Sequence, residues 1–281
     1  MFSKFSRSLA LVRASADVLR ADKELLVFPL LATLAGCVVI ASFVVPAFLG
    51  GLFGDDGRHP DRVLLGVLVF AFYLVQYSVV FFFNTALVGA ALIRLRGGDP
   101  SVADGLRLAL ARLPVILGYA AISATVGLFL RGLQKRTGWI GRWIAGLIGV
   151  AWTVATFLAV PVLVSENVGP VEAIRRSAAL LKKTWGENLI GNAGLGLVFV
   201  LAYLGLGVLG AALLLAAVKA HSPLLIASVG GLWVIAMLLL ALIQAALQGI
   251  YAAALFRYAS DGEIGAGFDA GLVVQAFHVK T

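Results

Sequence analysis

Six runs without a single Asp, Glu, Lys or Arg divide this chain of 281 residues: Leu25 to Gly54, Val63 to Ile93, Leu113 to Leu130, Trp143 to Ser165, Asn188 to Val218, and Ser222 to Phe256. A bilayer core about 30 Å thick is crossed by roughly 20 apolar residues in an α-helix, so each run is long enough to span. Composition agrees: 61% of residues are hydrophobic and 13% charged, against about 25% charged in soluble domains. A water-soluble globular fold is excluded, and the fold class is all-α, a polytopic membrane protein with six transmembrane helices.

Six spans place both termini on one side. The segments on that side carry fifteen Lys and Arg, the opposite segments seven. Cytoplasmic loops of membrane proteins are enriched in Lys and Arg, so both termini are expected in the cytoplasm. The net charge of +8 is then topology signal rather than a nucleic-acid surface. The N-terminal stretch lacks a short apolar segment followed by a small-residue cleavage site, so the first span is expected to act as its own insertion signal. The lone cysteine, Cys37, permits no intrachain disulfide or thiolate cluster and reads as a packing residue. Runs longer than thirty residues are expected to tilt, break or continue into the headgroup region.

Each cytoplasmic segment before a pair of spans carries helical amphipathic spacing. In the first, Phe2, Phe5, Leu9, Val12, Ala16 and Leu19 share a face. In the second, Ser101 and Asp104 make a capping-box start, with Val102, Leu106, Leu110 and Leu113 on one side. In the third, Val171, Ile174, Ala178, Leu181 and Trp185 align. The plan is therefore one membrane domain over 1–281: an interfacial helix at 1–24, a hairpin at 25–96, an interfacial helix and hairpin at 97–165, a third such unit at 166–257, and a cytoplasmic tail at 258–281. Echoes between Ser15 to Arg20 and Ser177 to Lys182, and between Ala90 to Leu95 and Ala253 to Tyr258, fit either internal duplication or low complexity.

Three stretches carry a resemblance: VLRADKELLVFPLL (Val18 to Leu31), AALIRLRGGDPSVADGL (Ala90 to Leu106) and SAALLKKTWGEN (Ser177 to Asn188). They resemble a family of bacterial and archaeal integral membrane proteins known only as a domain of unknown function. The resemblance implies a prokaryotic plasma membrane and supplies no reaction, ligand or site residue. All three motifs sit where an interfacial helix meets a span and read as elbows.

Intramembrane charge marks function by default because burying it is costly, and the spans hold none. That weighs against energised transport. What they hold is neutral polarity in the even-numbered spans: Tyr73, Gln76, Tyr77 and Asn84 in span 2, Thr153 and Thr156 before Pro161 in span 4, and Gln244, Gln248 and Tyr251 in span 6. These residues make either a polar seam for a solute or headgroup, or interhelical hydrogen bonds worth about 0.6 kcal/mol each. Small-residue stripes at Ala241, Ala245, Gly249 and Ala253, and at Gly207 and Ala211, allow close helix approach.

Two further sets are cationic. Arg107, Arg112, Arg175, Arg176, Lys182 and Lys183, with Trp185 at headgroup depth, are candidate contacts for anionic lipid. Arg131, Lys135, Arg136 and Arg142 form a basic loop on the opposite side, flanked by Trp139 and Trp143; it attracts anions or is a tolerated basic turn, and spans 3 and 4 could instead be re-entrant. His59 with Asp55, Asp56 and Asp61, and His221, lack metal-ligand spacing. The cluster of Glu166, Trp185, Glu187 and Asn188 reads as helix-end and headgroup contacts. Phosphate-loop, dinucleotide and nucleophile-elbow motifs are absent from the sequence. No catalytic residue, metal or cofactor is expected. The leading expectation is a non-enzymatic protein of membrane organisation, lipid interaction or assembly with a second copy or a membrane-protein partner. The alternative is an uncoupled channel or permease for a small or anionic solute along the seam.

Overall fold

The computed structural model describes residues 13–49, 62–136, 138–185 and 189–262, and every regular element among them is helical. Helix α1 covers 13–21, and a 3-10 turn, Lys23–Leu26, leads into α2, Val27–Leu49. There follow α3, Arg62–Leu95; α4, Val102–Ala111; α5, Leu113–Arg136; and α6, Gly138–Ala155. The chain continues through α7, Ala159–Ser165; α8, Pro170–Trp185; α9, Leu189–Lys219; and α10, Pro223–Asp261. Among the described residues six spans are long and apolar enough to cross a membrane, one of them shared by α6 and α7.

Helix α2 packs along α3, α5 along α6, and α9 along α10. While α3 and α5 also stay in contact away from it, with Arg131 lying over Tyr73, all three pairs meet together at one end. There α3, α7 and α10 contact one another, and their facing residues are fully buried: Leu87, Val88, Ala91 and Leu95 on α3, Val162 and Leu163 on α7, Ile250, Ala253 and Leu255 on α10. We call this the hub end. At the far end Val63 to Phe70 are all exposed, as are Leu204, Val208, Leu232 and Ile235. In a bilayer those side chains face hydrocarbon, which carries no penalty for Leu or Val.

The elbows knit the hub end together. Ser101 and Asp104 form the expected capping box, with the Ser101 hydroxyl and N–H 2.6 and 3.0 Å from the carboxylate. These hydrogen bonds hold the Asp104 carboxyl below its usual range. Glu24 accepts the next free N–H of α4, from Val102, at 3.1 Å. Gly97, at φ +85°, turns the chain out of α3, and Arg94 pairs with Asp99 at 2.9 Å. Arg257, buried on α10, donates to the Leu95 carbonyl at the C-terminus of α3, where orphan carbonyls and the negative dipole end favour a cation.

The helices α1, α4 and α8 turn inward a face that only partly matches the expected one. Leu19 and Leu181 are buried and Ala16, Val102, Leu106 and Ile174 pack on the core, but small residues beside them are the most buried. Helix α8 buries Ala173, Ser177 and Leu181 against its neighbours, chiefly α7, and leaves Val171 63% exposed. Helix α4 buries Gly105 and Ala109 and leaves Leu110 59% exposed. Small residues win because α4 approaches α3 so closely that a larger side chain has no room. Residues 1–12, and with them Phe2, Phe5, Leu9 and Val12, lie outside the described residues, as do residues 50–61 with His59 and its aspartates, residues 186–188 with Glu187 and Asn188, and residues from 263 onward. In α1 the inward positions are Ala14, Ser15, Val18 and Leu19. The echo pairs Ser15 with Ser177 and Leu19 with Leu181, and all four are buried.

Of the alternatives for the long runs, breaking does not occur: α3, α9 and α10 are unbroken at 34, 31 and 39 residues, and a break falls in the shorter span 4. The basic loop is mostly helix: α5 runs to Arg136 and α6 starts at Gly138, whose φ of +61° makes the turn. At 24 residues, α5 is about 36 Å long, enough to cross rather than re-enter. In the α9–α10 pair the closest approach falls on Gly210, not Gly207 or Ala211: a Cβ there would lie 2.2 Å from the Trp233 ring, whose Nε1 donates to the Leu206 carbonyl at 3.1 Å.

A Cβ on Gly105 would sit 2.6 Å from Phe28 Cζ and 2.7 Å from the Ala86 carbonyl, backbone that cannot yield. Gly105→Ala should therefore cost about 1–3 kcal/mol, read as a lower melting temperature in detergent, whereas Gly66→Ala, with open space around it, should leave melting unchanged. Asp22 gives a pH test. Burial pushes its carboxyl above the ordinary range, outweighing the attraction of Arg94, and its Oδ2 has no hydrogen-bond partner. A raised folded-state pKa favours the fold below the unfolded value near 4 and withdraws that support as pH rises through the folded value. Asp22→Asn should raise thermal stability at pH 7, with the gain shrinking toward pH 4; an equal gain at both would show that charge is not the cause.

Candidate intramembrane binding pocket

Span 4 is broken into α6 and α7. Pro161 brings no N–H to the backbone ladder, and the Thr156 and Thr153 hydroxyls compete for backbone carbonyls, binding Trp152 O at 2.8 Å and Gly149 O at 2.9 Å. Residues 156–158 form a turn between α6 and α7. The Leu158 N–H, released from the ladder, donates to the Ser177 hydroxyl of α8 at 3.0 Å, both groups buried.

A cavity of about 370 Å³ opens at this break. Helix α2 contributes Phe28 and Pro29, α3 contributes Val80 to Val88, α5 contributes Tyr119, the broken span contributes Thr153 to Pro161, and α10 contributes Ala245 to Ala252. Its polar groups are Asn84, Gln248, Thr153, Thr156 and Tyr119, whose hydroxyl lies beside Thr156 and Ser123. Gly249 lets α10 close on α3 at this level: a Cβ there would be 2.5 Å from Leu87 Cδ2 and 3.8 Å from Asn84 Oδ1. Toward the hub end the lining stops at Val88, Pro161 and Ala252; beyond lies the packed layer of Ala91, Leu95, Leu163 and Leu255.

The structure thus gathers four of the nine seam residues, Asn84, Thr153, Thr156 and Gln248, around one cavity. The others go elsewhere. Tyr73 and Tyr77 belong to an aromatic column on α3 that descends to the pocket: Tyr73 to Tyr77 at 6.3 Å, Tyr77 to Phe81 stacked at 5.7 Å, Phe81 to Tyr119 at 4.5 Å between centroids. Arg131 caps its far end, 4.6 Å above the Tyr73 ring, a cation–π contact. Gln76 packs its amide on Gly36 of α2. Gln244 does not line the cavity, and Tyr251 is buried with its ring 6.1 Å from Phe157. Tyr119 was not singled out in the sequence. Its signal is a solitary Tyr four residues before Ser123 in an otherwise apolar run.

The cations near the hub end are mostly engaged within the chain. Arg176 pairs with Glu166 at 2.6 Å and with Glu172 at 3.8 Å, Arg175 with Glu172 at 3.7 Å, and Arg107 with Asp104 at 3.8 Å. Arg112 donates to Asn167 Oδ1 at 2.7 Å. Lys182 is exposed, and the side chains of Lys183 and Trp185 are outside the described residues. On the opposite side Arg142 is exposed, as are Trp139 and Trp143, while the Lys135 and Arg136 side chains are not described. Cys37 faces outward rather than into packing. His221 has φ +51° with Nδ1 2.8 Å from the Lys219 carbonyl, a turn position, and no cluster of His, Cys, Asp and Glu able to hold a metal occurs among the described residues.

Six apolar helices, five of which line a pocket of neutral polar groups, define the class: a polytopic helical protein of the kind that resides in membranes. Within it, the chain belongs to DUF6159, a family of unknown function whose model matches residues 63–268. A search of curated proteins found none that matches.

The Ser177 bond supports the pocket wall, so Ser177→Ala should leave the buried Leu158 N–H without its acceptor. The expected loss is about 1–3 kcal/mol, read as a lower melting temperature. Ser177→Cys, close in size but a much weaker acceptor, should lose nearly as much.

Proposed function

We propose that this is a non-enzymatic, multi-pass membrane protein that receives a membrane-resident amphiphile in the pocket between its even-numbered spans. In this reading α2–α3, α5 with α6–α7, and α9–α10 are three membrane hairpins, and α1, α4 and α8 lie at the cytoplasmic face of a prokaryotic plasma membrane. Both termini are then cytoplasmic, as the Lys and Arg asymmetry favours. Arg107, Arg112, Arg175, Arg176, Lys182 and Lys183 meet anionic headgroups there, four of them steadied by neighbours in the chain. The far-end apolar surfaces suit lipid, a second copy or a membrane-protein partner.

The observation that carries the reading is the blind cavity at the break in span 4. Its volume of about 370 Å³ falls within the roughly 300–1,000 Å³ of ligand sites, and an apolar lining with a few placed polar groups is their usual make-up. A conduit needs a path that continues, and the Leu and Ala layer at the hub end interrupts this one. Lipid binding therefore stands ahead of the channel or permease.

Two measurements decide between them. Proteoliposomes should show no flux of chloride, potassium or glycerol above protein-free vesicles, and lipid retained through purification should fall several-fold in Ala245→Phe, which fills the cavity from an exposed lining position. Flux that disappears in Asn84→Leu and Gln248→Leu would replace this reading with the conduit.

A further inference from the structure

We infer that the polar end of the pocket's ligand is uncharged and carries both a hydroxyl and a carbonyl, the chemistry of a diacylglycerol-like neutral lipid. The inference rests on the pocket being a binding site and concerns what the site selects.

The lining contains no Asp, Glu, Lys, Arg or His. Two described arginines on the packed helices are occupied elsewhere: Arg131 lies over Tyr73, and Arg257 donates to the Leu95 carbonyl. A phosphate or carboxylate brought to Asn84 and Gln248 would lose its hydration and meet no cation, an expense that amide N–H groups alone do not offset. An ammonium would meet no carboxylate.

The neutral groups define complementary needs. Thr156 donates to Trp152 O and meets the Tyr119 hydroxyl, whereas Thr153 has committed its proton to Gly149 O and offers a ligand its lone pairs, which call for a donor. Asn84 and Gln248 each carry two amide N–H donors and one carbonyl, and among the described residues neither side chain makes a hydrogen bond to the protein. Their N–H groups call for an acceptor. A glycerol hydroxyl next to an ester carbonyl meets both needs within one small headgroup. Phe28, Val80, Phe83 and Phe157 then line the path of the first methylenes. A cavity of about 370 Å³ holds the head and the start of the chains, and the rest of each chain lies among the splayed far halves, where exposed Leu and Val already face hydrocarbon.

The test uses the full-length chain in detergent, with native mass spectrometry and thermal shift as readouts and three probes: dioleoylglycerol, dioleoylphosphatidylglycerol and trioleoylglycerol. Dioleoylglycerol should be retained about tenfold more than either other probe, the first lacking charge, the second charged, the third without a hydroxyl. Gln248→Leu and Asn84→Leu should each reduce its retention about tenfold, the value of one hydrogen bond left unmade. Ala245→Phe should abolish it, and Gln244→Leu, outside the lining, should leave it unchanged. Phosphatidylglycerol retained equally or better, and lost in Ala245→Phe, would overturn the uncharged ligand while leaving the pocket as a binding site. Trioleoylglycerol equal to dioleoylglycerol would overturn the hydroxyl. Retention of every probe insensitive to Ala245→Phe would overturn the inference and the binding reading together.

Discussion

In hydrocarbon there is no water to satisfy a backbone group that leaves the helical ladder, so every break and every buried helix end needs a partner from the protein itself. This constraint organises the hub end. The Leu158 N–H at the break in span 4 is taken by Ser177 and the Leu95 carbonyl at the end of α3 by Arg257, while on the exposed side the Val102 N–H at the start of α4 goes to Glu24. Each partner comes from a different element from the group it serves. The elbows are therefore joints between units, and the three pairs of spans converge where those joints are made. Away from them contacts are fewer, such as Arg131 over Tyr73 and Trp233 on α9, and much of the helix surface is exposed and apolar.

The same economy explains the pocket. Splaying leaves a wedge of space above the hub layer, and the wedge begins where the broken span, α3 and α10 separate. Its polar groups are those that the neighbouring elbows leave unused. The Thr hydroxyls serve their own helix, and the Asn84 and Gln248 amides face the space that remains. A site of this kind arises from helix geometry and neutral side chains, and for that reason it carries no motif.

The spans were legible because length and absence of charge set a bilayer-scale requirement that few other folds impose. The capping box at Ser101 was legible too, since its physics is local. The faces of α4 and α8 were legible only in part. Hydrophobic spacing correctly points inward for Val102, Leu106, Ile174 and Leu181 but also to Leu110 and Val171, which are exposed, because close approach to neighbouring helices selects Gly105, Ala109, Ala173 and Ser177, and closeness is a tertiary property. Half of the polar seam failed to converge for a related reason: period 3.6 places Gln76 and Asn84 on similar faces of α3, yet they lie two turns apart, at levels where that helix has different neighbours. Tyr119 escaped notice because a lone Tyr in an apolar run has no spacing to read.

The turn at Thr156 to Leu158 divides one wall of the pocket between two bodies. Thr153 is carried by α6, which runs with α5, while Val160 and Pro161 are carried by α7, which is fastened to α8 through Ser177 and, via Glu166, to Arg176. The wall on this side is thus built from two helix segments rather than one, and α8, bearing charge and lying outside the spans, touches both.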